Sequence, residues 1–424
     1  MGIRLTDLER AMLDGQYGEA IRFAMSVVVR MAEVIGAEEL LPVEQVHIDA
    51  CALVAQSNLE FIEYLVNHGG KVSVPTTLNM VALDLENWEK LGISPDFGKK
   101  AARIARGYLA LGCVPTWTCA PYQGYLTPRF GEQIAWGESN AVVYANSVIG
   151  ARTNRYGDYM DVCAAITGRV PKAGLHVREN RRGQVLVRVH GVDNTAWNSH
   201  AVWAALGHLI GGLLGNRIPV VEGVPNPVSN DSLKAFGAAA ASSGGIAMFH
   251  LVGITPEAPD LTTAFQGGKI QEKIDITAQE FGQAWTDLSS AGEGTPVDVV
   301  ILGCPHFSYL EFTELARVIS DLKRRKVHEN VDMLVFTHKT SCALAARQGI
   351  IELAERFGAK VLLDTCPFYF PIIRDTAKVV MTNSGKCAYY APGELNVKVA
   401  FGTLRDCVRS AVEGKVVQER RRWG

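Results

Sequence analysis

The chain has 424 residues, 48% of them hydrophobic and 20% charged, with a formal net charge of −2. That length exceeds one average core and points to two or three α/β units of an ordinary soluble protein. The balanced charge excludes the basic footprint of a nucleic-acid or anionic-membrane binder, and no apolar run approaches the ~18 residues of a membrane span.

The first residues, Met1 to Thr6, lack the apolar stretch of a signal peptide. They fit the loose myristoylation pattern, but Thr6-Asp7-Leu8-Glu9 reads as a capping box that opens a helix. An apolar stripe predicts a helix from Tyr17 to Ile35, then a short strand at Val46–Ile48 and a helix from Ser57 to Asn67. Val72–Val74 reads as a strand and Pro75-Thr76-Thr77-Leu78-Asn79 as a polar loop. A helix from Asp96 to Leu111 ends at Gly112, and Cys119 follows in an extended segment. Glu138 to Ala165 is helical but unusually polar, starting at Gly137-Glu138-Ser139-Asn140 and broken at Gly150-Ala151-Arg152-Thr153-Asn154-Arg155. Arg181-Arg182-Gly183 turns into a strand at Val185–Val189. Next come helix Ala196–Gly215, strand Pro219–Val221, helix Asp231–Ala240 and strand Ile246–His250. Gly253–Lys273, rich in Pro, Gly and Thr, is the best linker candidate, with Ala291-Gly292-Glu293-Gly294 second.

The last third is a β-α-β-α-β run: strands Val297–Leu302, Met333–Phe336 and Lys360–Leu363, with helices Tyr309–Arg324 and Ser341–Phe357 between them. A strand at Val379–Met381 and a strand and helix over Val397–Val412 follow, and Arg420-Arg421-Arg422 reads as a solvated tail. Regular alternation of this kind means parallel sheets covered by helices. The expected domains are 1–165, 166–290 and 291–424.

Nine cysteines, an odd number at long spacings, exclude a secreted disulfide framework and fit a reducing cytosol. Three carry chemistry: Cys119 in Thr-Cys-Ala-Pro, Cys304 in Gly-Cys-Pro-His and Cys366 in Asp-Thr-Cys-Pro. Cys304 and Cys366 follow predicted strands, and the proline after each cannot extend a central strand. Each thiol then sits at a carboxyl strand end, where open α/β sheets bind ligands. Without a Cys-x-x-Cys pair, a zinc ribbon, ferredoxin or thioredoxin-like site is excluded, and the fold itself must assemble any metal site. Three thiolates leave one iron of a cluster coordinatively open, a Lewis acid instead of an electron carrier. Cys51, Cys113, Cys163, Cys342, Cys387 and Cys407 read as structural.

His306 and His338 share the same functional edge and are candidate acid/base residues. Arg152 and Lys386, the latter in Asn383-Ser384-Gly385-Lys386, are candidate anion clamps. There is no Gly-x-Gly-x-x-Gly, Walker or Gly-x-Ser-x-Gly motif. Two rival readings stay open. One is a mononuclear metal lyase or hydrolase built on His306, His338 and one cysteine; the other is a non-catalytic scaffold.

The chain resembles the large component of the aconitase X family, a branch of the aconitase superfamily. The matching stretches run in order from Val74-Pro75-Thr76-Thr77-Leu78-Asn79 through Thr118-Cys119-Ala120-Pro121-Tyr122, Glu138-Ser139-Asn140-Ala141 and Gly150-Ala151-Arg152-Thr153-Asn154-Arg155. They continue through His250-Leu251-Val252-Gly253-Ile254, Gly303-Cys304-Pro305-His306 and Asp364-Thr365-Cys366-Pro367 to Ser384-Gly385-Lys386. The resemblance implies an aconitase-like multi-domain α/β architecture, with parallel or mixed sheets flanked by helices. It further implies an iron–sulfur cluster (2Fe-2S, or 3Fe-4S/4Fe-4S) on Cys119, Cys304 and Cys366. Ser139, Asn140, Asn146, Arg152, Asn154 and Lys386 would line the substrate pocket, with Thr76 and Thr77 nearby. The implied reaction is dehydration of a small hydroxy acid, cis-3-hydroxy-L-proline to Δ1-pyrroline-2-carboxylate first, mevalonate 5-phosphate as the alternative. The superfamily completes its site with a swivelling domain that carries a catalytic serine. Because the chain closes at Gly424, soon after Val397–Val412, the expectation is that a separate small subunit supplies it.

Overall fold

The computed structural model describes residues 2–322, 325–419 and 423. The chain divides into two compact units, 1–182 and 183–424. The expected arginine tail at 420–422 and the helix end at Arg324 lie outside the described residues.

The first unit begins with helix α1 (Asp7–Leu13), whose Thr6 and Glu9 form the expected capping box. Helix α2 (Glu19–Val34) buries Ala20, Ala24, Met25, Val28, Val29 and Ala32 as one stripe. Strands β1 (Leu40–Pro42) and β2 (Gln45–Ile48), helix α3 (Gln56–Asn67) and strand β3 (Thr76–Leu78) follow. Helix α4 (Pro95–Leu111) has Ser94 as its N-cap, Pro95 in its first turn and left-handed Gly112 at its end. Strand β4 (Ile134–Trp136) runs into helix α5 (Ser139–Tyr144), capped by the Glu138 carboxylate on the Ala141 N–H (2.7 Å). One π-helical turn, Ala145–Ile149, breaks α5 before Gly150. Such turns are rare in helices and frequent at functional sites. Helix α6 (Met160–Thr167) and strand β5 (Arg169–Pro171) close the unit. β3, β2 and β4 form a parallel sheet in that order, while β1 and β5 pair antiparallel.

The predicted strand at Val72–Val74 is displaced. The pairing residues are Thr76–Leu78, in the stretch expected to be a loop. Pro75 lacks an N–H yet still offers its carbonyl, which accepts from Val46 N–H (3.0 Å), so it starts the strand. The β-branched Thr76 and Thr77 suit the pleat.

The second unit contains two parallel sheets. Strand β6 (Val185–Val189), helix α7 (His200–Leu214), strand β7 (Pro219–Glu222), helix α8 (Asn230–Gly244), strand β8 (His250–Leu251), helix α9 (Leu261–Ala264), strand β9 (Glu272–Ile276) and helix α10 (Ala278–Asp287) build the first, in strand order β8-β7-β6-β9. The proposed linker at Gly253–Lys273 is therefore the connection between two strands of one sheet, and β9 begins within it. Only His250 and Leu251 pair in the predicted strand Ile246–His250.

Strand β10 (Val299–Leu302), helix α11 (Tyr309–Asp321), strand β11 (Asp332–Thr337), helices α12 (Lys339–Arg347) and α13 (Ile350–Phe357), strands β12 (Ala359–Leu363) and β13 (Val379–Thr382), helix α14 (Gly385–Glu394), strand β14 (Lys398–Phe401) and helix α15 (Leu404–Glu413) build the second. The predicted single helix Ser341–Phe357 is two, because Gly349 between them adopts a left-handed backbone (φ 69°). The strand order is β12-β11-β10-β13-β14, all parallel. Strands are added outward on one side of β10 and then on the other. β10 and β13 therefore flank a topological switch point, and the carboxyl ends there form a ligand crevice. Val300, Leu302, Phe312, Leu315, Met333, Val335, Met381 and Val408 belong to the packed core of this part.

Candidate functional site

In the second unit the carboxyl edge of the five-stranded sheet carries the predicted chemistry. β10 delivers Cys304 and His306, β11 His338, β12 Cys366, and β13 the Ser384–Lys386 turn. Gly303 makes this geometry possible. Its φ of 87° is left-handed, and a Cβ there would strike the Phe336 carbonyl.

His306 Nε2 donates to the Thr365 carbonyl (2.8 Å), tying the Cys304 loop to the Cys366 loop. The His306 and His338 rings stack with centroids 6.2 Å apart. Ser341 Oγ lies 3.0 Å from His338 Nε2. Burial depresses both imidazoles, His306 to about 4 and His338 to about 3, so both are neutral at pH 7. Burial, reinforced by the neighbouring Cys304, pushes the Cys366 thiol up to about 12; N–H groups of Phe368 and Tyr369 and the Lys386 charge oppose that rise. Thr365 Oγ1, next in sequence, is buried and has no hydrogen-bond partner among the described residues. Two neighbouring thiols, backbone N–H groups on one sulfur, a nearby ammonium and an unspent buried hydroxyl fit an anionic sulfur-bound group. Among the described residues, no three His, Cys, Asp or Glu side chains group as a ready single-ion site.

Behind this edge lies a buried charge cluster. Lys234 Nζ on α8 donates to the His306 carbonyl (3.2 Å) and to the Glu311 carboxylate, and pairs with Asp231 Oδ1 at 3.0 Å. Ser308 Oγ donates to Asp231 Oδ2 (2.8 Å), and the Ser308 N–H donates to Glu311 Oε2 (2.8 Å). The cluster thus grips both the carbonyl of His306 and the cap of α11. A cavity of about 20 Å³, room for one water, touches Cys304, Lys234, Glu311 and Ser384.

The first unit holds Cys119 and the other predicted residues. The Asn140 side-chain amide donates to the Cys119 carbonyl (2.6 Å) and accepts from the Tyr122 hydroxyl (2.7 Å). Thr77 Oγ1 pairs with His47 Nδ1 (2.8 Å), and Thr76 Oγ1 donates to the Val74 carbonyl (2.8 Å). Ser139 is half-buried in the first turn of α5. Asn146 and Asn154 are committed to backbone: Asn146 binds both the Thr153 N–H and its carbonyl, Asn154 the Leu175 N–H and the Ala173 carbonyl. They brace the turn that carries Arg152. Arg152 Nε is buried and has no hydrogen-bond partner among the described residues, as expected of a donor awaiting an anion.

Models of the first, second and third aconitase X domains match residues 2–179, 183–286 and 297–413. This chain belongs to the aconitase X family. It is 42% identical over 417 residues to a cis-3-hydroxy-L-proline dehydratase of Pseudomonas aeruginosa, a match covering 98% of this chain and 71% of that protein. It is 37% identical to a phosphomevalonate dehydratase large subunit of Methanocaldococcus jannaschii, covering 96% of this chain and 99% of that one. The crystal structure of Thermococcus kodakaraensis aconitase X in its holo-form superposes with a TM-score of 0.85 at 31% identity, covering 96% and 100% of the two chains.

Three features of this aconitase X chain escaped sequence reasoning. Cys387, assigned to structure, is fully buried with its sulfur bonded to the Cys304 side chain. Its position directly after Lys386 was the available signal. Arg181, placed in a turn, is completely buried and donates to the Asn146 side chain (3.1 Å) and carbonyl (2.9 Å). Asp49 and Asp161 meet beneath the N-terminus of α5, where a Cβ on Gly137 would touch both. Nothing in their local sequence marks them. Among the described residues, no helix is long and apolar enough to cross a membrane.

Proposed function

We propose that this chain is the large subunit of an iron–sulfur hydro-lyase that converts cis-3-hydroxy-L-proline to Δ1-pyrroline-2-carboxylate in a reducing cytosol. One observation carries the reading: Cys304, Cys366 and Lys386 gather on one sheet edge, in a chain 42% identical to a dehydratase of that substrate. Cys119, Cys304 and Cys366 are the proposed ligands of a 2Fe-2S, 3Fe-4S or 4Fe-4S cluster. When bound, such a cluster with one open iron supplies Lewis acidity that makes hydroxide a better leaving group.

The chain's own residues bind and orient. Arg152 and Lys386 hold the substrate carboxylate, with Ser139, Asn140, Thr76 and Thr77 on the polar wall and Asn146 and Asn154 bracing it. His306 and His338, both neutral, steady the departing oxygen by hydrogen bonding and carry no stored proton into the reaction. The proton on the carbon next to the carboxylate leaves to a serine on a separate small subunit, which brings the swivelling domain. The 99% coverage of a relative named as a large subunit supports that partner. Net loss of water gives an enamine, which tautomerises to the cyclic imine.

The test is anaerobic reconstitution with iron, sulfide and the small subunit, followed by assay of both candidate substrates. Loss of cis-3-hydroxy-L-proline supports the reading. Turnover of mevalonate 5-phosphate instead moves the assignment to the more distant relatives, and a fully loaded complex inactive on both favours a scaffold. Arg152→Gln or Lys386→Met should lower kcat/KM by roughly 10²–10³-fold. Cys304→Ser should bleach the purified complex; unchanged iron content removes it from the ligand set.

A further inference from the structure

Cys387 is a buried thiol with no part in the chemistry above. It lies in the first turn of α14, fully enclosed, and its side chain is hydrogen-bonded to that of Cys304 and to that of Thr382. The backbone fixes this contact. Ser384 Oγ accepts from the Cys387 N–H (3.0 Å) and itself donates to the Cys304 carbonyl, so one hydroxyl clasps both cysteines. Thr382 Oγ1 accepts from the Ser384 N–H (3.2 Å), which leaves its O–H to point at the Cys387 sulfur. The polar order is then Thr382 O–H to Cys387 sulfur, and Cys387 S–H to Cys304 sulfur.

We propose that Cys387 is a positioning residue for the metal centre: its S–H donates a hydrogen bond to the ligating Cys304 sulfur and tunes the electron density that sulfur gives to iron. The inference rests on the assignment of Cys304 as a cluster ligand. A ligating thiolate carries no proton, so the proton shared between the two sulfurs belongs to Cys387. Hydrogen bonds to ligand sulfurs stabilise the more negative, reduced cluster and set its potential. An incidental core cysteine fills space equally well without doing this.

The experiment compares wild type, Cys387→Ala and Cys387→Ser after anaerobic reconstitution. Iron and acid-labile sulfide are counted, and the sulfur-to-iron absorption band and midpoint potential are recorded. The alanine variant should load normally, with its band moved to longer wavelength and its potential more negative. Serine, which keeps an O–H donor, should recover part of both shifts. Loss of the cluster in the alanine variant alone, with serine retaining it, also supports a donor role. A loaded alanine variant with unchanged band and potential overturns the inference, as does cluster loss in both variants, which would make the sulfur itself indispensable. Wild type that takes up neither iron nor sulfide overturns the Cys304 assignment and this inference with it.

Discussion

Lys234 shows how one buried charge holds a loop in place. Burial opposes its ammonium, yet Asp231 and Glu311 hold its pKa above the usual lysine value. Lys234→Met leaves two carboxylates enclosed without their cation, so unfolding free energy in urea should fall by roughly 3–5 kcal/mol. Asp161 is the opposite case. Burial raises its carboxyl to about 7, against the two backbone N–H groups it accepts, from Asp49 (2.6 Å) and Val162 (2.7 Å). The folded chain keeps a proton there that the unfolded chain releases near pH 4. Stability should therefore fall as pH rises from about 4 to about 7 and level off above, a span on the order of 4 kcal/mol. Asp161→Asn cannot ionise and should flatten that slope. Parallel curves of urea midpoint against pH for the two proteins would count against the assignment.

At the scale of elements, helices α7 and α8 owe their close approach to side chains that are missing. A Cβ on Gly207 would meet the Phe236 carbonyl, and one on Gly211 the Ala240 carbonyl and Ser243 Oγ. Gly207→Val should force the pair apart and lower the thermal midpoint, at a cost of about 1–3 kcal/mol. An unchanged midpoint would mean the helices slide freely. These elements were legible because helical periodicity and strand alternation are local patterns. The β-α-β-α-β run of the last third was readable for the same reason, and with it the loops bearing Cys304, His306, His338 and Cys366. The polar run Pro75–Asn79 misled because its strand is defined by its partner β2, and pairing is a property of two segments. Cys387 and Asp161 were invisible for a related reason: a side chain's neighbours across the fold leave no trace in its own stretch of chain. Asn146 and Asn154 matched a family motif, but a motif does not say whether an amide faces a substrate or a backbone.

For the molecule as a whole, a cofactor held by thiols from separate stretches should bind the folded chain far better than the unfolded one, and so stabilise it. Anaerobic loading with iron and sulfide should raise the unfolding midpoint, and an iron chelator should return it to the apo value. Cys304→Ser should show no rise on loading. A loaded protein that melts where the apo-protein does would argue that the metal sits on a surface and not among Cys119, Cys304 and Cys366.

The hydroxyl of Ser384 reaches a carbonyl 80 residues earlier in the chain, that of Cys304. Synthesis therefore exposes the first thiol of this edge well before its neighbour across the switch point exists. At about 5–20 residues per second, the interval is roughly 4–16 s. During it Cys304 is an ordinary nascent thiol, open to metal ions and oxidants alike. Delivery of the inorganic centre has to wait for the ribosome to finish the last third of the message.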